Sequence, residues 1–185
     1  MNGGWLRAEQ SPKRKARTAG IFYLLTIVTG GLALFVHGPL LAALLLISTG
    51  CYIAVTLLFY WLFRPVNRSI SALAAGFSLI GCALSILALL HMAPSRPQPL
   101  VFFGGYCLVI GYLILRSTFL PRILGVLMAF GGLGWLTFIS PALSAYLAPY
   151  NMAPGILGEA TLTIWLLAAG VNSRRWNEQA GTATC

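Results

Sequence analysis

The placement of charge along the chain constrains the fold more than any other feature of the sequence. No charged residue occurs from Thr18 to Phe63, and most later charges fall in short gaps between apolar segments. The sequence predicts six such segments, each 16 to 24 residues long, at 19–36, 40–63, 70–90, 100–115, 123–139 and 155–171. A helix of about 20 apolar residues spans a bilayer. The pattern therefore predicts six transmembrane helices.

The basic residues indicate how the predicted helices are oriented. Eleven of the twelve lysines and arginines lie before segment one, after segments two and four, or after segment six. Only Arg96 lies in one of the three other gaps. Cytoplasmic loops carry an excess of Lys and Arg, so we expect both termini to be cytoplasmic, in a bacterial plasma membrane.

The short connections and the continuous apolar segments favour one all-α domain. A membrane segment must satisfy its own backbone hydrogen bonds, which leaves helices or a closed barrel. The segments show no alternation of period two, so we exclude a barrel. We predict an integral membrane bundle of six helices at 19–171, a basic N-terminal tail at 1–18 and a C-terminal tail at 172–185.

Composition excludes several classes of protein. Only 8% of the residues are charged, far below a soluble domain. The net charge of +9 would otherwise suggest nucleic-acid binding, but a basic face cannot alternate with buried spans, so we expect no nucleic-acid partner. The four cysteines form no C-x-x-C pair, and we expect no metal and no cofactor. Membrane lipids are the expected partners, and a homo-oligomer is left open.

Glu159 is the most conspicuous candidate for function, because it is the one acid inside a predicted span. An ionisable residue within the membrane is a functional hypothesis by default, and the alternative is a shallow glutamate bonded within the bundle. We place Glu159 about 6 Å inside helix six. Tyr106, His91 and Trp165 are the residues that we expect to line an outer pocket with it. His37 is a further candidate at that face.

Four arginines form a second candidate site, on the cytoplasmic side. They lie on two short turns that each contain a proline, and they are Arg64, Arg68, Arg116 and Arg122. Guanidinium groups bind phosphate well, so these turns are predicted to contact lipid headgroups. The alternative is ordinary snorkelling of each arginine to the interface.

Two further features leave alternatives open. The loop at 140–154 is apolar, and either it lies in the outer interface with its tyrosines at headgroup level or it covers an outward-facing pocket. The glycines of segments four and five either permit close helix packing or, at Gly131 and Gly132, form a hinge.

Enzyme motifs are missing from the sequence. It contains no H-E-x-x-H, no G-x-S-x-G, no phosphate loop and no aspartate. We therefore expect no catalysis, and the leading hypothesis is a membrane protein that binds a hydrophobic or amphipathic ligand or packs with membrane partners. The alternatives are a small transporter, proton-coupled through Glu159, and an intramembrane enzyme.

Four segments together resemble a known family. They are KARTAGIFYLL at 15–25, RPVNRS at 64–69, FFGGYCLVIGYLILRSTFLPRILGVLMAFGGLGWL at 102–136 and GEATLTIWLLAAGV at 158–171. The chain is similar to the bacterial membrane proteins grouped as domain of unknown function 4386. The resemblance implies a six-helix integral membrane protein, and it implies no activity, cofactor or site.

Overall fold

The structure is a computed structural model that describes residues 3–91 and 98–182, with side chains from Pro12 onward. The described residues form helices and connecting turns. The helices are α1 (Gly3–Ala33), α2 (Pro39–Phe63), α3 (Arg68–Leu89), α4 (Pro99–Arg116), α5 (Arg122–Leu136), α6 (Pro141–Leu147), α7 (Ala153–Ala168) and α8 (Ser173–Thr182). Short 3₁₀ turns, Thr137–Ile139 and Tyr150–Met152, flank α6. Arg96 and Cys185 lie outside the described residues.

Local sequence explains where several helices begin and end. Asn67 caps α3, because its side chain accepts a hydrogen bond from the Ile70 amide at 2.9 Å. Asn172 caps α8 in the same way, through the Arg175 amide at 3.1 Å. Gly170 follows α7 with φ of 70°, the left-handed conformation that favours glycine at a helix end. These caps satisfy backbone groups that a helix end leaves free.

The chain is an all-α membrane bundle, as predicted. Five helices of the described part are long and apolar enough to cross a membrane. Tyr150–Ala168 passes the same test only together with Ser173–Thr182, from which it is bent by 104°. Each long helix packs against the next, and α7 returns to pack against α1. The helices α1, α2, α3, α4, α5 and α7 therefore form a closed ring.

The two ends of this ring differ in charge. We call the end that holds the α2–α3 turn, the α4–α5 turn and α8 the basic end, because every described lysine and arginine side chain lies there. The opposite end, where α2, α4 and α7 begin, is called the cavity end. Within the ring, fully buried side chains such as Phe59, Phe63, Ile114 and Leu166 fill the half near the basic end.

Helices α4 and α5 approach each other through glycine. A Cβ atom at Gly111 would lie 2.7 Å from the Gly125 carbonyl oxygen, and one at Gly132 would lie 2.8 Å from the Gly104 carbonyl oxygen. The two pairs are one heptad apart on each antiparallel helix. Gly132 thus serves close packing, and α5 is one continuous helix from Arg122 to Leu136. Such contact gives dispersion energy where lipid removes the hydrophobic driving force.

Helix α8 lies across the basic end and is fastened there by its side chains. The indole of Trp176 donates to the carbonyl oxygen of Leu62 at 2.8 Å and stacks on Trp61 with ring centroids 4.7 Å apart. Gln179 accepts from the amide of Thr118, at 3.1 Å, in the α4–α5 turn. The Lys15 ammonium lies 3.5 Å from the centre of the Trp61 ring. The prediction of a C-terminal tail at 172–185 did not include this helix.

The observed helices differ from the predicted segments mainly near the termini. Helix α1 begins at Gly3, so much of the stretch predicted as an N-terminal tail is continuous with the first span. Helix α7 begins at Ala153 and ends at Ala168, whereas the prediction was 155–171. Glu159 is consequently about 9 Å from the start of its helix rather than about 6 Å. It is a deeper residue than the sequence suggested.

Candidate ligand-binding site

A cavity of about 450 Å³ opens between the helices at the cavity end. Its wall is mainly apolar and comes from α1, α2, α3, α4, α5 and α7. The lining residues are Thr26, Ile27, Gly30, Gly31, Leu34, Leu45, Leu46, Ser48, Thr49, Tyr52, Ser85, Ile86, Leu89, Leu100, Phe103, Trp135, Met152, Ile156 and Glu159. A volume of this order accommodates a small organic ligand.

Glu159 is the one charged residue in this wall. Its Oε1 accepts a hydrogen bond from the indole nitrogen of Trp135 at 3.1 Å and another from the thiol of Cys107 at 3.5 Å. Cys107 is fully buried and does not itself line the cavity. Two donors from α4 and α5 thus hold a carboxylate of α7 in place.

Three tyrosines lie beside this carboxylate with their hydroxyl groups unpaired. Tyr52 lines the cavity, and its ring centroid is 5.7 Å from those of both Tyr23 and Tyr106. All three are buried, and their hydroxyl oxygens make no hydrogen bond of good geometry with the described residues. Tyr23 lies within reach of the Glu159 carboxylate. Leaving a buried hydroxyl unpaired costs about 1–3 kcal/mol. The packing of the helices therefore leaves hydrogen-bonding groups in this cluster unused.

Glycines of α7 place Glu159 and Trp135 together. A Cβ atom at Gly155 would collide with the indole of Trp135, so glycine is what lets this ring lie over α7. A Cβ at Gly158 would lie 2.6 Å from the Leu127 carbonyl oxygen, so α5 and α7 also touch there. Gly155 lies one turn before Glu159 on the same helix face, and Gly158 directly precedes Glu159. Local sequence therefore builds the contact between the carboxylate and its indole donor.

The structure brings together only part of the predicted outer site. Tyr106 is fully buried behind Tyr52, next to the Glu159 cluster but not in the cavity wall. His91 and His37 are exposed and do not line the cavity. Trp165 lies in a different place, in a groove of about 570 Å³ at the basic end that Lys13, Arg174 and Arg175 also line. No group of three or more potential metal ligands converges among the described residues.

Sequence reasoning missed Trp135, Cys107, Tyr52 and Tyr23. One available signal was position along the helix. Trp165 follows Glu159 by six residues, which places it about 9 Å further along α7. Gly155 lies one turn before Glu159 on the same face and marks a side where another helix comes close. The rise along the helix therefore separates Trp165 from the site, and Gly155 points toward the neighbouring α5.

The four arginines of the second candidate site are all exposed at the basic end. The guanidinium of Arg64 lies 6.0 Å from the centre of the Trp61 ring, and Arg116 donates to the Tyr112 hydroxyl at 3.2 Å. Arg68 and Arg122 are exposed at the starts of α3 and α5. None of the four lines the groove beside Trp165. The structure therefore shows separate exposed cations rather than one shared pocket.

The loop at 140–154 contains features of both expectations. Tyr146 and Tyr150 are exposed, while Met152 at its end lines the cavity. Asn151 is buried and donates to the Thr137 hydroxyl at 3.1 Å, which holds the loop against α5. Most of the loop thus faces outward, and its last turn contributes to the cavity wall.

Fold and site together define an all-α helical membrane protein with a partly enclosed cavity and an intramembrane carboxylate. Residues 99–170 match a family model described as "Domain of unknown function (DUF4386)". A protein from Archaeoglobus fulgidus, described as "Uncharacterized protein", is 30% identical over 126 residues, which are 64% of this chain and 76% of the relative. No solved structure matches the chain. The chain belongs to the DUF4386 family, and the resemblance stated from its sequence is confirmed.

Proposed function

We propose that this protein binds a hydrophobic or amphipathic small molecule in the cavity, without catalysing a reaction. The observation that supports this most is the pairing of an apolar cavity of about 450 Å³ with a buried polar cluster at its wall. Apolar lining with a few convergent polar groups is the usual composition of a small-molecule site. In this proposal Glu159 and Tyr52 contact the ligand, and Tyr106 supports Tyr52 from behind.

The energetic argument is that packing alone does not explain these polar groups. A carboxylate within a membrane costs several kcal/mol unless it is paired. Three unpaired tyrosine hydroxyls lie next to it. A leucine or phenylalanine at these positions would avoid both costs. A ligand with polar atoms at one end could bond to Glu159 and Tyr52, the two members of this group that line the cavity.

The cluster also supports the absence of catalysis. Glu159 is the only carboxylate in it, and the Cys107 thiol, which donates to that carboxylate, is set back from the cavity. General acid–base catalysis by two groups needs a second titratable side chain within reach of the substrate. We therefore assign Cys107 to holding Glu159 rather than to nucleophilic attack.

Filling the cavity tests the proposal. Gly31 lines the cavity, and a Cβ placed there meets no atom within 4 Å. Gly31→Leu should therefore occupy the cavity without disturbing the helix. Gly50 is a matched control, since it is also helical and open but lies outside the cavity wall.

Native mass spectrometry of protein extracted in mild detergent provides the readout. The wild type and Gly50→Leu should both carry a discrete added mass, and Gly31→Leu should lack it. Glu159→Gln should lower its occupancy while the protein still assembles. An added mass equally present in Gly31→Leu would contradict the proposal.

A proton-coupled transporter is the second candidate. The observation that favours it is a carboxylate inside the membrane with no cationic side chain beside it among the described residues. Such residues are common in proton pathways. Uptake into liposomes driven by a pH gradient and abolished by Glu159→Gln would support transport, and binding without uptake would support the first proposal.

We also propose that the basic end faces the cytoplasm of the plasma membrane and that its arginines contact lipid headgroups. The concentration of all described lysines and arginines at this end supports the orientation. The exposure of Arg64, Arg68, Arg116 and Arg122 supports lipid contact. A fluorescent protein fused to the C-terminus should then fluoresce, and an alkaline phosphatase fused there should be inactive.

A further inference from the structure

We propose that the ligand of the cavity is a lipophilic organic cation, an ammonium group with an apolar body. This inference rests on the proposed function, because it names the class of ligand for the same cavity. Three observations support it: the charge of the wall, the aromatic rings around the carboxylate and the unpaired hydroxyls. Each limits the headgroup that the site accepts.

The charge of the wall disfavours anions. Glu159 is the one carboxylic acid there, and among the described residues no lysine, arginine or histidine lines the cavity. An ionised carboxylate in a low-dielectric site needs a positive partner. Every lysine and arginine side chain that the structure describes lies at the basic end, away from Glu159. A cationic ligand supplies that partner, whereas a fatty acid or a phosphate headgroup would meet like charge.

Aromatic rings surround the same position. Tyr52, Phe103 and Trp135 all line the cavity with Glu159. The Tyr52 and Phe103 ring centroids are 4.8 Å apart, and Tyr106 packs on the other side of Tyr52 at 5.7 Å. Aromatic faces attract ammonium groups through their quadrupole, most strongly in a desolvated site. A carboxylate among aromatic rings is therefore suited to an amine.

The unpaired hydroxyls suit an N–H donor. Tyr52 lines the cavity, and its hydroxyl oxygen is buried and makes no hydrogen bond of good geometry with the described residues. A protonated amine has donors and no acceptor, so it can donate both to Glu159 and to a tyrosine oxygen. The apolar remainder of the ligand would lie against the apolar side chains of the wall, such as Leu45, Leu46 and Leu89.

Three probes with one tail and three headgroups test the inference. They are dodecylamine, dodecan-1-ol and dodecanoate, each titrated at pH 7 into the protein in phosphatidylcholine nanodiscs, with empty nanodiscs subtracted. The wild type should bind dodecylamine at least about tenfold more tightly than the alcohol, since a charge-assisted bond is stronger than a neutral one. Dodecanoate should bind most weakly.

Variants separate the inference from the proposed function. Glu159→Gln should remove the preference for the amine and leave the affinity for the alcohol unchanged. Gly31→Leu should weaken binding of all three probes, and Gly50→Leu should weaken none. If Glu159→Gln does not fold, Glu159→Asp replaces it: this variant keeps a carboxylate and should keep the preference.

The outcomes have distinct meanings. Equal binding of amine and alcohol by the wild type, or an amine preference that survives Glu159→Gln, overturns the inference while the cavity remains a binding site. No binding of any probe above empty nanodiscs, or binding that Gly31→Leu does not change, overturns the proposed function as well. An amine preference lost in Glu159→Asp also counts against the inference, since a carboxylate is still there.

Discussion

Replacing Gly111 by alanine should destabilise the bundle through the contact between α4 and α5. The added Cβ would lie 2.7 Å from the Gly125 carbonyl oxygen and 2.9 Å from the Ala129 amide nitrogen. Ordinary contact begins at 3.4 Å. Both neighbours are backbone atoms in a helix, so neither can rotate away. The helices must therefore separate locally by the difference between 2.7 and 3.4 Å, which is about 0.7 Å.

The magnitude follows from what this separation loses. A gap of roughly 0.5–1 Å removes a quarter to a half of the dispersion energy of each contact that it opens. Overpacking of a close contact typically costs about 1–3 kcal/mol, and the position of Gly111 on a seam of backbone contacts places it in the upper part of that range. For a chain of this length we expect the melting temperature to fall by roughly 5–10 °C.

The assay uses cysteines that the fold hides. Cys82 and Cys107 are buried, so a thiol-reactive fluorescent dye reports unfolding of the detergent-solubilised protein during heating. Gly50→Ala is the control, since it makes the same change on a helix where the new Cβ meets nothing within 4 Å. Alanine is favoured over glycine in helices by about 1 kcal/mol, so the control should be unchanged or more stable. A melting temperature for Gly111→Ala equal to that of the control would refute the packing argument.

Three other predictions follow from the same structure. Trp176→Ala removes both the hydrogen bond to Leu62 and the stacking on Trp61, so α8 should detach. Trypsin should then cleave beside α8 at least about tenfold faster, because the cleavage rate follows the population of molecules in which α8 is detached. An unchanged cleavage rate would contradict this. Thr56 and Ser78 share a buried hydrogen bond between α2 and α3. A double-mutant cycle of Thr56→Val and Ser78→Ala should give a coupling of about 0.6–1.7 kcal/mol, and zero coupling would show that the bond contributes nothing. Gly155→Ala should displace the Trp135 indole from Glu159 and lower the melting temperature relative to Gly50→Ala. An equal melting temperature in the two variants would mean that the indole can move aside without loss of stability.

The helices could be predicted well from the sequence because long apolar segments show that lipid is the solvent. Long apolar segments, their flanking arginines and the capping Asn67 all act over short distances. What it did not predict is which face of each helix points inward. In a soluble protein hydropathy decides this, but lipid and helix interior are both apolar, so an apolar helix gives little sign of its phase. Trp165 was therefore assigned to the outer pocket, whereas the structure places Trp135 there.

Polar residues are the exception that does define phase. Glu159 avoids lipid, so its direction fixes the inward face of α7, and Gly155, Gly158, Leu162 and Leu166 are all buried on that face. The carboxylate could thus be predicted from sequence as an interior group. Its donors could not, since Trp135 and Cys107 lie 24 and 52 residues away and only the closed ring brings them together.

The ends of the ring bear on the choice between binding and transport. At the cavity end, the cavity is partly open and its wall is mainly apolar, which suits the entry of an apolar ligand. At the basic end, α8 lies across the ring and bonds to backbone atoms of Leu62 and Thr118. A ligand that left through the basic end would require those bonds to break and the buried side chains beneath them, such as Phe63 and Ile114, to part. Entry and exit at the cavity end require neither. This asymmetry favours a site that captures and releases its ligand on one side of the membrane.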